Sequence, residues 1–280
     1  EVLLEVLGSG NAVTLRRFPA RVAPGPPRGP SFDEVDRGDR SQRWAVVIGA
    51  GTFADTRVPP LHGAETDAVT LADFLRSPAA GLGGIPETHL RVLTGEQATE
   101  RAIRSGLKTF LRGATPGDFV VFHLAGRVVR DPHRPDRLYL AAYDTDPADI
   151  PATAVDLRFI RDAIAEVYGH TRLVVAGLEG PPGARAVPES FLRESTSARQ
   201  GGLAVLTGEG PGIVVETLLP GLRGGADSDR DGIVRLGEAL EYAVTQGGGA
   251  LAPTSHDRSW PLARVPPRTA RLAPAPRPDR

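Results

Sequence analysis

Strand-length apolar runs alternate along most of this chain with segments of helical period, and that alternation limits the architectures open to it. Trp44-Ala45-Val46-Val47-Ile48-Gly49 is apolar at nearly every position, as in a strand covered on both faces. Glu65–Ser77 follows, with Ala68, Leu71, Ala72 and Leu75 on one helical face. His89–Leu93, Asp118–Ala125, Arg172–Leu178 and Gly202–Thr207 read as further strands, and Arg137–Ala142 as a short one. Thr99–Arg112, Asp156–Tyr168, Pro188–Ser197, Ile213–Leu222 and Leu236–Thr245 carry the intervening and closing helical patterns. Such a series predicts an α/β fold with three αβα layers, in which helices cover both faces of a mostly parallel sheet of about six strands.

The expected domain spans residues 43–264. Before it, Val2–Leu7 and Ala12–Leu15 flank Gly8-Ser9-Gly10-Asn11 and read as a hairpin within residues 1–18. Residues 19–42 are proline-rich and charged, the pattern of a linker, and residues 265–280 read as a disordered proline- and arginine-rich tail. The chain has no leading methionine and no signal-peptide pattern, so it is expected to be a piece of a longer, cytoplasmic product.

Composition removes several function classes. The net charge of −1 provides no basic field to draw in nucleic acid or an anionic membrane. No apolar run approaches the roughly 20 residues of a membrane helix. Cysteine is absent, which excludes disulfides, thiolate metal sites and a cysteine nucleophile in this chain.

Gly49-Ala50-Gly51-Thr52-Phe53-Ala54 has the spacing of a dinucleotide-binding loop. That loop must open directly into a helix whose N-terminus meets the pyrophosphate. Here it runs on to Pro59-Pro60, and no acidic residue ends a second strand at the required distance. A wide turn after the first strand is the stronger reading.

Other segments carry a resemblance. Arg43–Gly51 followed by Leu61-His62-Gly63-Ala64-Glu65-Thr66-Asp67-Ala68 resembles the opening of bacterial caspase-like and metacaspase-like peptidases. Thr94–Thr99, Gly117–Phe122 and Tyr139–Asp146 are similar to later segments of that family, in the same order, and the likeness runs from about Trp44 to Arg264. It implies a caspase-like fold with a Gly-His-Gly run ending the third strand and an Asp-x-Cys-His-Ser-Gly run ending the fourth. This chain has Gly126-Arg127-Val128 and Ala176-Gly177-Leu178-Glu179-Gly180-Pro181 instead. Arg127 thus stands for the histidine, Leu178 for the cysteine, and Ala176 for the aspartate expected to hold a basic substrate residue in metacaspase-like members.

Leucine offers no nucleophile, and a guanidinium of pKa above about 12 cannot cycle a proton near neutrality. A cysteine peptidase is therefore not expected. The altered site suggests an Arg127–Glu179 ion pair over the old active site with Leu178 plugging it; the alternative has both charges facing solvent. His123 sits mid-strand, where a lone histidine is more often a core residue than a base, and no G-x-S-x-G elbow is present.

Asp227-Ser228-Asp229-Arg230-Asp231-Gly232-Ile233-Val234-Arg235-Leu236-Gly237-Glu238 fits D-x-D-x-D-G-x₅-E throughout. Asp227, Asp229, Asp231, the Ile233 carbonyl and a bidentate Glu238 form a hard oxygen set that suits Ca²⁺. Pro220 and Gly221 weaken the incoming helix and no second loop is available, so weak affinity and a stapling role are expected.

The leading functional expectation is a catalytically inactive pseudoprotease that binds a protein or peptide partner, a protease among the candidates, within a bacterial defence or signalling system. A hydrolase with a rewired site and a purely structural domain are the alternatives. The segment 181–200, with Arg185, Arg193 and Arg199, reads as an exposed loop open to a trypsin-like partner.

Overall fold

The structure is a computed structural model that describes residues 2–4, 16–18, 42–77, 84–115, 118–167, 171–181, 202–246, 249–251 and 257–265. Near the start, β1 (Val2–Leu4) pairs antiparallel with β2 (Arg16–Phe18). In the main body, β3 (Arg43–Ala50) leads into α1 (Ala64–Arg76) and then β4 (Leu90–Thr94). The chain returns through α2 (Glu100–Lys108) to β5 (Phe119–Asp131), which turns into β6 (Arg134–Leu140). A two-residue β7 (Val155–Asp156), α3 (Leu157–Glu166), β8 (Thr171–Glu179) and β9 (Gly202–Glu209) follow. The last part holds β10 (Ile233–Arg235), α4 (Leu236–Thr245), β11 (Gly249–Leu251) and β12 (Pro261–Arg264).

The main path of the sheet runs β11-β9-β8-β5-β3-β4. Its pairings are parallel except for β11, which runs antiparallel along the β9 edge. This is the predicted α/β architecture. Two apolar cores flank the sheet. On one face, Val47, Phe119, Val121 and Val175 pack beneath α1, residues 213–222 and α4. On the other, Ile48, Phe122, Leu124 and Val174 pack beneath α2 and α3. Alternation of side chains along each strand produces this split, and burial on both faces explains why β3 is apolar almost throughout.

Local signals set the helix starts. Thr99 Oγ1 accepts from Ala102 N at 3.2 Å and Asp144 accepts from Glu100 N at 2.8 Å, together capping α2. Asp156 accepts from Arg158 N at 2.7 Å at the start of α3. Trp44, buried, donates its indole N–H to Asp118 at 3.2 Å and ties β3 to the entry of β5.

The structure differs from the sequence reading in three places. β5 has 13 residues, because it outruns the sheet and forms a ribbon with β6. Residues 213–225 form two wide π-helical segments instead of one regular helix, with Pro220 and Gly221 at their junction. Residues 249–251 and 257–264, set in the proline-rich end, include strands that find partners in β9 and β10. The expected linker at 19–42 except Gln42, the helix at 188–197 and the tail at 265–280 except Val265 lie outside the described residues.

Candidate functional site

In an open parallel sheet, ligands meet the crevice at the carboxyl ends of the strands where the winding reverses. Here β4 lies on one side of β3 and β5 on the other, so that point lies between β3 and β5. The register places Ala50 beside Gly126, Gly126 beside Leu178, and Arg127 beside Glu179. Arg127 and Leu178 thus sit on adjacent strands, within the last two paired positions of β5 and β8.

Arg127 Nη1 donates to Glu179 Oε1 at 2.5 Å, and Nη2 makes a long 3.5 Å contact with the Pro60 carbonyl. One side chain therefore reaches β8 and the loop after β3. Arg127 Nε is buried without a partner. Leu178 lies within the core on the α2 and α3 face, in the same cluster as Leu124 and Ala176.

The glycine loop has a packing explanation. A Cβ on Gly49 would lie 2.5 Å from the Ala64 carbonyl oxygen and 2.7 Å from Ala68 Cβ; one on Gly51 would lie 2.4 Å from the Leu61 carbonyl oxygen. Both glycines admit the start of α1 against the end of β3. No phosphate cradle is needed to account for them.

Asp67, buried on α1, accepts from the backbone N–H groups of Gly212 at 2.7 Å, Val214 at 3.3 Å and Val215 at 3.4 Å. Its carboxylate thus caps the 213–218 segment from across the domain. Burial pushes its pKa up against the lowering effect of those bonds. His123 is fully buried, and burial lowers it to about 4 although Nδ1 lies 3.2 Å from the Val175 carbonyl oxygen. Its Nε2 is buried without a partner. A base must reach a reacting group, and this ring lies inside the core.

In the 227–238 loop, single carboxylate oxygens of Asp227, Asp229 and Asp231 lie within 4.8 Å of one another. Gly232 has φ 83° and its N–H donates to Asp227 Oδ2 at 3.2 Å, which makes the sharp turn of the motif. Asp227 Oδ1 is buried without a partner. Glu238 does not join the three aspartates: Oε1 accepts from Ser228 N and Oγ, and Oε2 accepts from Arg235 N. The loop strand β10 pairs with β12, Val234 opposite Ala263, so the chain's own end fills the place of a second loop. These oxygens could hold a hard cation if Glu238 turned inward.

A family model of the caspase domain matches residues 42–166. The domain is caspase-like. The matched part of the caspase-like domain includes Arg127, whereas Leu178 and the acidic loop lie beyond it. The crystal structure of protein GSU0716 from Geobacter sulfurreducens is similar, with TM-score 0.55 and 13% identity over 80% of this chain and 100% of that one. Caspase-1 from Spodoptera frugiperda gives TM-score 0.43 and 10% identity, covering 74% of this chain and 76% of that one. The structure of pro-sf-caspase-1 gives 0.43 and 11%, covering 81% and 92%. No curated protein matches significantly.

Two residues of the caspase-like domain gain roles that the sequence reading missed. Asp67 was visible only as part of a motif; its place on the buried face of α1 was the available signal. Arg235 holds the ninth loop position, where a basic side chain beside four carboxylates was the signal. Arg185, Arg193 and Arg199 lie outside the described residues. Among the described residues, no helix is long and apolar enough to cross a membrane.

Proposed function

We propose that this caspase-like domain is a non-catalytic, cytoplasmic module that works by binding a protein or peptide partner, a protease among the candidates. The observation that carries the reading is the pairing of Arg127 with Glu179 at the last register pair of β5 and β8, beside Leu178, where the resemblance puts Arg127 and Leu178 at the family's histidine and cysteine positions. A guanidinium held by a carboxylate is neither base nor nucleophile, and this chain supplies no thiol. The test is turnover of peptide libraries carrying acidic, basic and apolar residues before the scissile bond, with calcium and with chelator. No turnover is expected. Hydrolysis that copurifies with the chain and is lost in Glu179→Ala would overturn the proposal in favour of a rewired hydrolase.

We also propose that the 227–238 loop takes Ca²⁺ through Asp227, Asp229, Asp231, the Ile233 carbonyl and Glu238. The converging aspartates and the orphaned Asp227 Oδ1 favour this reading. The ion would supply positive charge that fastens β10 and α4 to the domain. Calcium should raise the melting temperature of the wild-type chain relative to chelator, and equal melting in both would argue against it.

A further inference from the structure

We infer that Arg235 is a built-in counter-ion of the 227–238 loop and that a divalent cation can enter only by displacing it. The inference deepens the calcium reading and rests on it. The loop packs Asp227, Asp229, Asp231 and Glu238 into twelve positions, so without a cation these charges oppose its closure. Arg235 Nη1 lies 2.7 Å from Asp231 Oδ2 and 3.5 Å from the Ile233 carbonyl oxygen. Those are the fifth and seventh positions of the motif, two groups that would coordinate calcium at about 2.3–2.6 Å. A guanidinium nitrogen that close to both leaves no room for an ion on the same pair of oxygens.

The contact is not an ordinary surface pair. The side chains are 12% exposed for Arg235 and 15% for Asp231. Arg235 Nε is buried without a partner, as is Asp227 Oδ1 in the same loop. Arg235 is therefore held among the carboxylates with its own hydrogen bonding incomplete, and the loop still has one oxygen unsatisfied. A monovalent, planar cation neutralises part of the acidic charge but does not reach all of it. A compact divalent ion would reach all three aspartates, release Arg235 towards solvent and let Glu238 exchange Ser228 for the metal.

Two consequences follow for the metal-free and metal-loaded chains. Without metal, Arg235 keeps the loop closed, so β10 and α4 hold their places. With metal, displacement of Arg235 opposes binding and places the loop among weak calcium sites.

The experiment uses the full chain with Arg235→Ala, and with Arg235→Gln as the variant that keeps length and hydrogen-bonding capacity. Ca²⁺ affinity is measured by calorimetry, and melting is followed in chelator and in saturating Ca²⁺. Asp229→Ala removes a candidate ligand whose hydrogen bond runs to Asp231 N, and so reports on the calcium site itself. Both Arg235 variants should bind Ca²⁺ about tenfold more tightly or better, because ligand charge sets affinity in such loops. Both should melt below wild type in chelator and recover in calcium. Equal Ca²⁺ affinity of wild type and the Arg235 variants would overturn the inference while leaving the calcium site in place. No Ca²⁺ binding by any of them, with or without Asp229, would overturn the calcium reading and the inference with it.

Discussion

Arg127 and Glu179 face each other at the last register pair of β5 and β8, 2.5 Å apart, with the arginine 21% exposed and the glutamate 41% exposed. The unequal burial makes the two partners unequal to remove. Glu179→Ala leaves a half-buried guanidinium with two nitrogens poorly satisfied. Arg127→Ala leaves a solvated carboxylate and eliminates the orphaned Nε. Glu179→Ala should therefore be the more destabilising variant in chemical denaturation. The double-mutant coupling should be small, about 0.5–1 kcal/mol, and should shrink with added salt. A reversed order would mean that the arginine stem's packing outweighs its charge.

The end of β3 gives a second test. Gly49→Ala would put a methyl group against the Ala64 carbonyl and Ala68 Cβ, both parts of α1 that cannot yield singly. Destabilisation of about 1–3 kcal/mol is expected from overpacking. Titration with NAD or ATP should leave the wild-type melting temperature unchanged, because the glycines serve helix-to-strand contact. A nucleotide-dependent rise would restore the dinucleotide reading.

Much of this fold was legible because both sheet faces are buried. Burial on both sides forces continuous apolar runs such as Trp44–Gly49, and helical period between them fixes the crossovers. Leu236–Thr245 has the predicted bounds for the same reason: an acidic loop precedes it and its apolar face is regular. Pairings that depend on distant segments were not legible. Nothing in Pro261–Arg264 marks it as a partner of Ile233–Arg235, since register arises from docking and not from local propensity. The role of Asp67 was hidden similarly, because its three hydrogen-bond donors lie more than a hundred residues further along the chain. Arg127 and Leu178 were singled out by the family resemblance and the acidic loop by its spacing; the bond from Arg235 into that loop required coordinates.

Asp67 yields a third prediction. Its carboxylate serves three backbone N–H groups at the start of the 213–218 segment, which otherwise has no side-chain cap. Asp67→Asn preserves volume but removes the charge and replaces one of the two accepting oxygens with an NH2 donor. A loss of about 2–3 kcal/mol is expected, with faster hydrogen exchange at Gly212, Val214 and Val215. Unchanged exchange at those amides would show that the segment is held by its apolar face alone.

His123 predicts the acid behaviour of the domain. Folding lowers its pKa from the ordinary 6.5 to about 4, because burial disfavours the charged ring. Between those values the unfolded chain takes up a proton that the folded chain refuses, so stability falls as pH falls. Each pH unit across the window costs about 1.4 kcal/mol, reaching about 3 kcal/mol near pH 4. Asp67 acts in the opposite sense: burial raises its pKa, so protonation in acid favours the folded state. The raw pH profile mixes these contributions, and the difference between wild type and a non-titrating variant isolates the histidine. His123→Leu has similar volume and leaves Asp67 in place. Its stability relative to wild type should rise steadily as pH is lowered from 7 to 4, whatever its offset at neutral pH from the lost contact with the Val175 carbonyl. Parallel profiles for the two proteins would mean that the ring takes up its proton over the same pH range folded as unfolded, and its orphaned Nε2 would then have to donate to a group inside the core.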